Sequence, residues 1–337
     1  MDVEALEERF NDKRYMGKIF PLSDGRKLSY SEVGQLENGH PVLFHVGLMC
    51  SSLAIVNFHD EALRLNLHIV TIDYPGIGES SPQPNRDFSD WANNVQEFVM
   101  FRWGPTQSLS LLSHCMGAPH ALAVMAHPTL SQRISCVTLV SPWLLLSSSS
   151  PEQPLTQSWV HHAVCNSVLP SIATSMVSSG VSMTSSIPMS SLSSSSSQSS
   201  ALQMLAMKRI VGYSHHQNQE GNRQMVRLAL HRLRPEDVLH FPYSFPVLIL
   251  CGDDDPLIPA KWGRQFVQEQ MDLVNGHSHH DVSDTSNDTN NTDSMNIDNH
   301  HYSHAVPWIE YRTVSGANHN SILGGPNLTL VLESLHT

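Results

Sequence analysis

One continuous segment, residues 109–126, sets the strictest limits on how this chain folds. A short apolar run, Leu109–Leu112, leads into Ser113–Gly117, and a helix-forming stretch, Ala118–Ala126, follows directly. The pattern small-x-Cys-x-small predicts a tight turn from a strand into a helix, because the two backbones pass too close there for larger flanking side chains. Such a turn holds one residue, here Cys115, in a strained conformation and projects its side chain over the edge of a sheet.

Apolar runs of strand length alternate with amphipathic stretches along most of the chain. The runs predict strands at 18–22, 27–33, 41–46, 67–73, 109–112, 134–140, 245–251 and 308–314, and the amphipathic stretches predict helices at 53–65, 88–103, 116–126 and 260–274. Asp24-Gly25 predicts that the first two strands form a hairpin. The alternation predicts an α/β fold with a mostly parallel central sheet, flanked by helices and joined by right-handed crossovers.

Two segments of biased composition interrupt this alternation. Residues 147–200 are rich in serine, and residues 275–304 are rich in Asn, Asp, Ser, Thr and His, so both are predicted to be disordered. Helices are predicted at 201–211 and 221–233. We therefore expect a leader at 1–16, a core made of 17–142 and 243–337, and a helical cap inserted at 143–242. The cap leaves the sheet at its carboxyl edge, where open α/β sheets carry their sites.

Charge and cysteine usage exclude several classes of protein. The 337 residues carry a formal net charge of -12 with 19 Lys and Arg and no basic stretch, so nucleic acid is not an expected partner. No apolar run is long enough to span a bilayer, and the charged N-terminus lacks the apolar core of a secretory signal. Five cysteines without regular spacing argue against a disulfide framework. These features predict a soluble, cytoplasmic protein.

With these pieces in order, the chain resembles the capped, esterase- and lipase-like branch of the α/β-hydrolase superfamily over residues 18–142 and 246–335. Five motifs agree in order and spacing: Val46–Ser52 resembles the oxyanion loop, Asp73–Ser80 the Asp-x-x-Gly-x-Gly-x-Ser loop, Ser113–Gly117 the nucleophile elbow, Gly252–Pro259 the acid loop and Gly316–His319 the histidine loop. The order nucleophile, acid, histidine is the most specific part of this resemblance.

The resemblance implies a catalytic triad of Cys115, His319 and Asp255. Cys115 would attack a carbonyl carbon, His319 would take the thiol proton and later activate water, and Asp255 would orient the imidazole. The backbone N–H groups of Leu48 and Met116 would form the oxyanion hole. The resemblance implies no metal and no organic cofactor, and the apolar residues of the cap suggest a small hydrophobic acyl substrate.

The chain departs from the family pattern at several positions. Cys115 stands where most members have serine, which leaves three outcomes: a working thiol esterase, a slow acyl-enzyme, or a dead site. Val46 takes the place of the oxyanion-loop histidine, and Met49 and Cys50 replace the usual Pro and Gly, so the loop loses its turn formers.

Some assignments stay open at the level of sequence. Asp253 and Asp254 compete with Asp255 for the role of the acid, and His114 is interpreted as a packing and hydrogen-bonding residue. The clustered histidines of 275–304 fit either a transition-metal site or a solvated insertion, and the Asn and Asp between them favour the second; they are His277, His279, His280, His300, His301 and His304.

Three functions are therefore weighed. The first is a hydrolase of carboxylic ester, thioester or lactone bonds that works through an acyl-enzyme. The second is a catalytically inactive hydrolase-fold protein that binds a ligand or partner, which the altered elbow and oxyanion loop favour. The third is an acyltransferase with the same triad.

Overall fold

Six parallel strands end at one edge of a single sheet, and the loops that follow them carry the predicted site. In the computed structural model, which describes residues 2–144, 197–218, 220–231, 244–274 and 309–336, the sheet has eight strands in the order β1-β2-β4-β3-β5-β6-β7-β8. The strands are β1 Lys18–Pro21, β2 Lys27–Gly34, β3 His40–His45, β4 Leu67–Ile72, β5 Leu109–His114, β6 Ile134–Val140, β7 Val247–Gly252 and β8 Ile309–Val314.

The helices lie between and around these strands. They are α1 Val3–Asn11, α2 His59–Arg64, α3 Phe88–Trp103, α4 Ala118–Ala126, α5 Pro128–Ser131, α6 Ser197–Ser214, α7 Glu220–His231, α8 Ala260–Val274 and α9 Pro326–Glu333. Short 3₁₀ turns cover Ser52–Phe58, Cys115–Gly117, Ser321–Leu323 and Ser334–His336. None of the helices within the described residues is long and apolar enough to cross a membrane.

The predicted α/β fold is confirmed. β1 and β2 form the predicted antiparallel hairpin, and every pairing from β4 through β3 to β8 is parallel. β4 and β5 are buried along their whole length, as expected of central strands covered by helices on both faces. The sheet therefore places the ends of β3, β5, β7 and β8 at one rim.

The predicted helix at 53–65 is instead a 3₁₀ turn, Ser52–Phe58, followed by α2. Most of the 3₁₀ turn is buried, including the β-branched Ile55 and Val56, and Ser52 is held at its start by the buried carboxylate of Asp73. This segment is therefore buried on nearly all sides and fixed at its N-terminal end by one polar contact. It does not have the single apolar face of an amphipathic helix.

The two helices predicted in the cap are α6 and α7, and α6 begins at Ser197, inside the stretch predicted to be disordered. The rest of that serine-rich stretch, residues 147–196, and the insertion at 275–304 with its six histidines lie outside the described residues. α7 contacts the turn Cys115–Gly117, so this helix of the predicted cap reaches the predicted elbow.

Candidate active site

Cys115 sits at the turn from β5 into α4 in a left-handed backbone conformation, with φ of 51°. A residue other than glycine is rarely found there and is retained where the surroundings force it. The strand runs to His114, and Cys115–Gly117 forms a 3₁₀ turn before α4 begins at Ala118, two residues later than predicted. The side chain is partly exposed at the rim of the sheet, as the small-x-Cys-x-small pattern predicts.

The acid and histidine loops meet because β7 and β8 are parallel neighbours. Gly252 ends β7 against the backbone of Ala317, where a methyl group on Gly252 would lie 2.0 Å from the Ala317 carbonyl oxygen. The N–H of Asp254 donates to that carbonyl at 3.1 Å. Glycine at position 252 therefore lets the two loops come into backbone contact and brings their side chains together.

Among the three consecutive aspartates, the structure places Asp255 at the site. Its Oδ1 accepts the N–H groups of Leu257 and Ile258 at 2.9 Å each, and its Oδ2 faces His319 Nδ1 at 2.8 Å. Asp253 and Asp254 are exposed, and the carboxylate of Asp253 accepts a hydrogen bond from the N–H of Gly316. One oxygen of Asp255 thus fixes the turn while the other orients the imidazole.

His319 connects Asp255 to Cys115. Burial by itself lowers the pKa of His319, but hydrogen bonds with the side chains of Asp255 and Cys115, together with their charges, raise it to about 10. Burial likewise opposes the charged form of Asp255, yet the hydrogen bond and charge of His319 hold the pKa of this carboxyl below its usual value. The sulfur, imidazole and carboxylate therefore form one connected relay at the rim of the sheet.

His114, predicted as a packing residue, fixes the backbone of the histidine loop. Its Nε2 lies 2.9 Å from the carbonyl oxygen of His319, and the two rings are 4.6 Å apart. Burial, assisted by the neighbouring His319, lowers the pKa of His114 to about 3. A neutral His114 therefore donates its Nε2–H to the His319 carbonyl, since that oxygen can only accept.

The loop predicted to supply an oxyanion donor lies beside Cys115. A methyl group on Gly47 would come within 3.1 Å of the Cys115 Cβ. Leu48 follows Gly47, Met116 follows Cys115, and Met49 adopts a φ of 62°. The N–H of Met49 donates to Oδ1 of Asn222 on α7 at 3.1 Å. Sequence reasoning missed Asn222, because none of the motifs of the resemblance includes a cap residue.

A cavity of about 130 Å³ adjoins the oxyanion loop. It is lined by Phe44, Val46, Gly47, Cys50, Ala54, Asn57, Phe58, His114 and Leu323. Most of these side chains are apolar, and Gly47 and His114 also border Cys115, so the cavity and the relay are neighbours. Within the described part of the chain, no three His, Cys, Asp or Glu side chains are grouped to hold a metal ion.

Comparisons with solved structures find the same fold at low sequence identity. A hydrolase from Pseudomonas aeruginosa superimposes with a TM-score of 0.62 at 13% identity, covering 97% of this chain and 99% of that one. An esterase from Rhodococcus gives 0.59 at 18% identity, covering 94% and 96%, and a bromoperoxidase from Bacillus anthracis gives 0.61 at 14% identity, covering 95% and 98%. At these identities the likeness concerns the fold alone. Curated proteins give no significant match.

A family model described as the alpha/beta hydrolase fold matches residues 40–286, which is well over half of the chain. This range runs from β3 through the turn at Cys115 and the helices α6 and α7 to Asp255 and α8. The predicted superfamily is thereby confirmed, and with it the general type of enzyme. The chain belongs to the α/β hydrolase fold family and is an enzyme of the hydrolase type.

Proposed function

We propose that this protein hydrolyses carboxylic ester, thioester or lactone bonds through an acyl-enzyme on Cys115, with His319 and Asp255 completing the triad. The observation that carries the proposal is the 2.8 Å hydrogen bond between His319 and Asp255, together with a His319 pKa that both Asp255 and Cys115 raise. The left-handed backbone at Cys115 supports it further, since strain of this kind persists at sites where a side chain must be aimed.

The raised pKa of His319 defines how the first step begins. Its raised pKa makes His319 a base able to hold the thiol proton of Cys115, so it takes that proton as the sulfur attacks. The sulfur attacks the carbonyl carbon, and a tetrahedral intermediate forms with its charge on oxygen. When this collapses, the bond to the leaving oxygen or sulfur breaks, and His319 protonates the leaving group. A thioester on Cys115 remains.

The second step returns the enzyme to its starting state. Neutral His319 now removes a proton from water, and the resulting hydroxide equivalent attacks the thioester carbonyl. The C–S bond breaks, the acid leaves, and the proton that His319 took from water returns to the sulfur of Cys115. Asp255 holds the proton-bearing Nδ1 throughout, so Nε2 faces the reacting groups. The N–H groups of Leu48 and Met116 are the proposed donors to the oxyanion.

A small hydrophobic acyl group suits the surroundings of Cys115. The cavity beside Gly47 is walled by the rings of Phe44 and Phe58 and the side chains of Val46 and Leu323. Burying apolar atoms of an acyl chain there is favourable by about 25 cal/mol per Å². The substrate we propose is therefore an uncharged ester or thioester with a short apolar acyl chain.

Burst kinetics with p-nitrophenyl esters of several chain lengths test the mechanism. We expect a burst of p-nitrophenol equal to the enzyme concentration, and mass spectrometry should place the acyl group on Cys115. Cys115→Ala and prior alkylation with iodoacetamide should both remove the burst. Cys136→Ser is the matched control, because that thiol is buried on β6 against Ser110 and lies outside the proposed triad.

Two results would contradict the proposal. The absence of a burst with every chain length would favour a protein that only binds its ligand. Faster turnover by Cys115→Ser than by the wild type would identify the site as one shaped for an oxygen nucleophile.

A further inference from the structure

The cap helix α7 reaches the oxyanion loop through one side chain. Asn222 lies in the first turn of α7, and its Oδ1 accepts the N–H of Met49 at 3.1 Å. Met49 follows Leu48, the proposed oxyanion donor, and stands where the resembled family has a turn-forming proline. With Met49 and Cys50 in place of the usual proline and glycine, this loop takes a polar anchor from α7.

The position of Asn222 is fixed by the packing around it. The preceding residue, Gly221, lies on the backbone of Gly76, where a methyl group on Gly221 would come within 2.6 Å of the Gly76 carbonyl. Asn222 itself is only 3% exposed, and α7 contacts the turn that holds Cys115. The amide is therefore bound to the oxyanion loop and belongs to a helix that contacts the turn of Cys115.

Only one end of this amide has a hydrogen-bond partner within the described part of the chain. The Met49 N–H can only donate, so the carboxamide oxygen of Asn222 must face it, and the NH₂ group points the other way. Nδ2 is buried and has no hydrogen-bond partner among the residues that the structure describes. Burying an amide donor without a partner costs about 1–3 kcal/mol, so such a group beside a nucleophile suggests a partner supplied by the substrate.

We propose that Asn222 is a substrate-binding residue whose Nδ2 donates a hydrogen bond to a carbonyl or ester oxygen of the acyl group being attacked by Cys115. This inference rests on the proposed function and adds a donor from the cap to the two backbone donors of the core. Oδ1 orients the donor by holding Met49, so the same amide shapes the oxyanion loop and contacts the substrate.

Two substitutions at Asn222 separate the roles of its two ends. Asn222→Asp keeps an oxygen for the Met49 N–H and removes the NH₂ donor, whereas Asn222→Ala removes both. We expect both variants to slow formation of the acyl-enzyme from p-nitrophenyl esters by about 100-fold, as for loss of one oxyanion donor. The loss should fall on the acylation rate rather than on KM, and alkylation of Cys115 by iodoacetamide should keep its wild-type rate.

Gln217→Ala is the matched control for a loosened cap. Gln217 also joins the cap to the core through an amide, since its Nε2 donates to the carbonyls of Gly78 and Ser80 at 2.9 and 2.6 Å. These contacts are made to Gly78 and Ser80 and not to Met49, so the acylation rate of Gln217→Ala should match the wild type.

The outcomes distinguish this inference from the function on which it rests. No burst from the wild type would remove the proposed function and this inference together. A wild-type burst with Asn222→Asp acylating at the wild-type rate would overturn the inference alone, because Asn222 would then only hold the loop. Equal slowing in Gln217→Ala would also overturn it and assign the effect to cap closure.

Discussion

Gly117 lies directly against the backbone of His45. A methyl group on Gly117 would come within 2.1 Å of the His45 carbonyl oxygen and 2.8 Å of that of Val46. The φ of Gly117 is -71°, which any residue adopts, so glycine is required here for space and not for backbone freedom. The contact holds the nucleophile turn against the end of β3 and so sets the distance between Cys115 and the oxyanion loop.

Gly117→Ala should therefore destabilise the protein and misplace Cys115. A methyl group cannot fit against a carbonyl of a central strand without moving backbone, and we expect a cost of about 3 kcal/mol in the free energy of unfolding. Urea unfolding measures the cost, and the burst assay measures the effect on Cys115. In contrast, Gly212→Ala on α6 meets no atom within 4 Å and should be neutral or slightly stabilising.

Much of the core follows from patterns local in sequence. α3, β6 and α8 begin and end at the predicted residues, and α3 starts at a capping box in which Asp87 and Asp90 bond each other's backbone N–H groups. Periodicity and caps are encoded within a few residues, so they can be read without tertiary contacts.

The rest depends on contacts between distant residues. Of the three consecutive aspartates, Asp255 is the one whose carboxylate is buried against His319. Its placement depends on the pairing of β7 with β8. Asn222 meets Met49 across a separation of 173 residues. Such contacts leave no periodic pattern or motif in a single sequence. For this reason the sequence could not decide which aspartate faces His319, and it gave no sign of Asn222.

The pairing of Asp255 with His319 should make stability depend on pH. Because the pKa of His319 is raised above its ordinary value of 6.5 to about 10, its contribution is complete below about pH 6.5 and is lost as the pH rises through about 10. Asp255→Ala should cost about 3–5 kcal/mol near pH 6, as for loss of one partner of a buried pair, and much less near pH 10.

Urea unfolding of the wild type and Asp255→Ala across this range measures the difference. Asp254→Ala is the control, because Asp254 is exposed and its only described bond to the histidine loop uses the backbone. A cost for Asp255→Ala that stays constant from pH 6 to pH 10 would show that no proton on His319 is linked to folding.

Glu32 should carry a second, opposite dependence on pH. It is buried on β2, where its carboxylate is bound by Lys18, by His68 at 2.8 Å and by Arg102 at 2.7 Å. Burial opposes the charge, but these three bonds lower the pKa of Glu32 from 4.5 to about 2. Its stabilising effect is therefore complete above about pH 4.5 and is lost as the pH falls through about 2.

Glu32→Gln should cost about 3 kcal/mol at neutral pH, because it leaves the partly buried cations Lys18 and Arg102 without their carboxylate. Chemical unfolding at pH 7 and near pH 3 measures this cost, which should shrink in acid. Glu37→Gln is the matched control, since Glu37 is exposed a few residues further along the same segment and should show neither effect. Equal stability of the two variants at pH 7 would refute the role assigned to Glu32.

Asp73 should oppose stability when it is ionised, although it organises the loop around Ser52. It is fully buried, and its oxygens accept the Ser29 hydroxyl at 2.6 Å and the N–H and hydroxyl of Ser52 at 2.5 and 2.9 Å. Burial outweighs these bonds and raises the pKa of Asp73 from 3.8 to about 6. The folded state therefore holds the proton more tightly, and this contribution is lost as the pH rises through about 6.

Asp73→Asn removes the ionisable group while keeping the shape of the side chain. Comparing it with the wild type therefore isolates the effect of Asp73 ionisation on the free energy of unfolding. Relative to Asp73→Asn, the wild type should lose about 2 kcal/mol of stability between pH 4.5 and pH 7.5. Over that range the unfolded chain already carries a charged Asp73, and the folded state must release its proton from a buried carboxyl. Paired urea titrations at several pH values measure the difference. A difference between the two proteins that does not change with pH would mean that Asp73 is charged in the folded state throughout, held by its serine donors against the cost of burial.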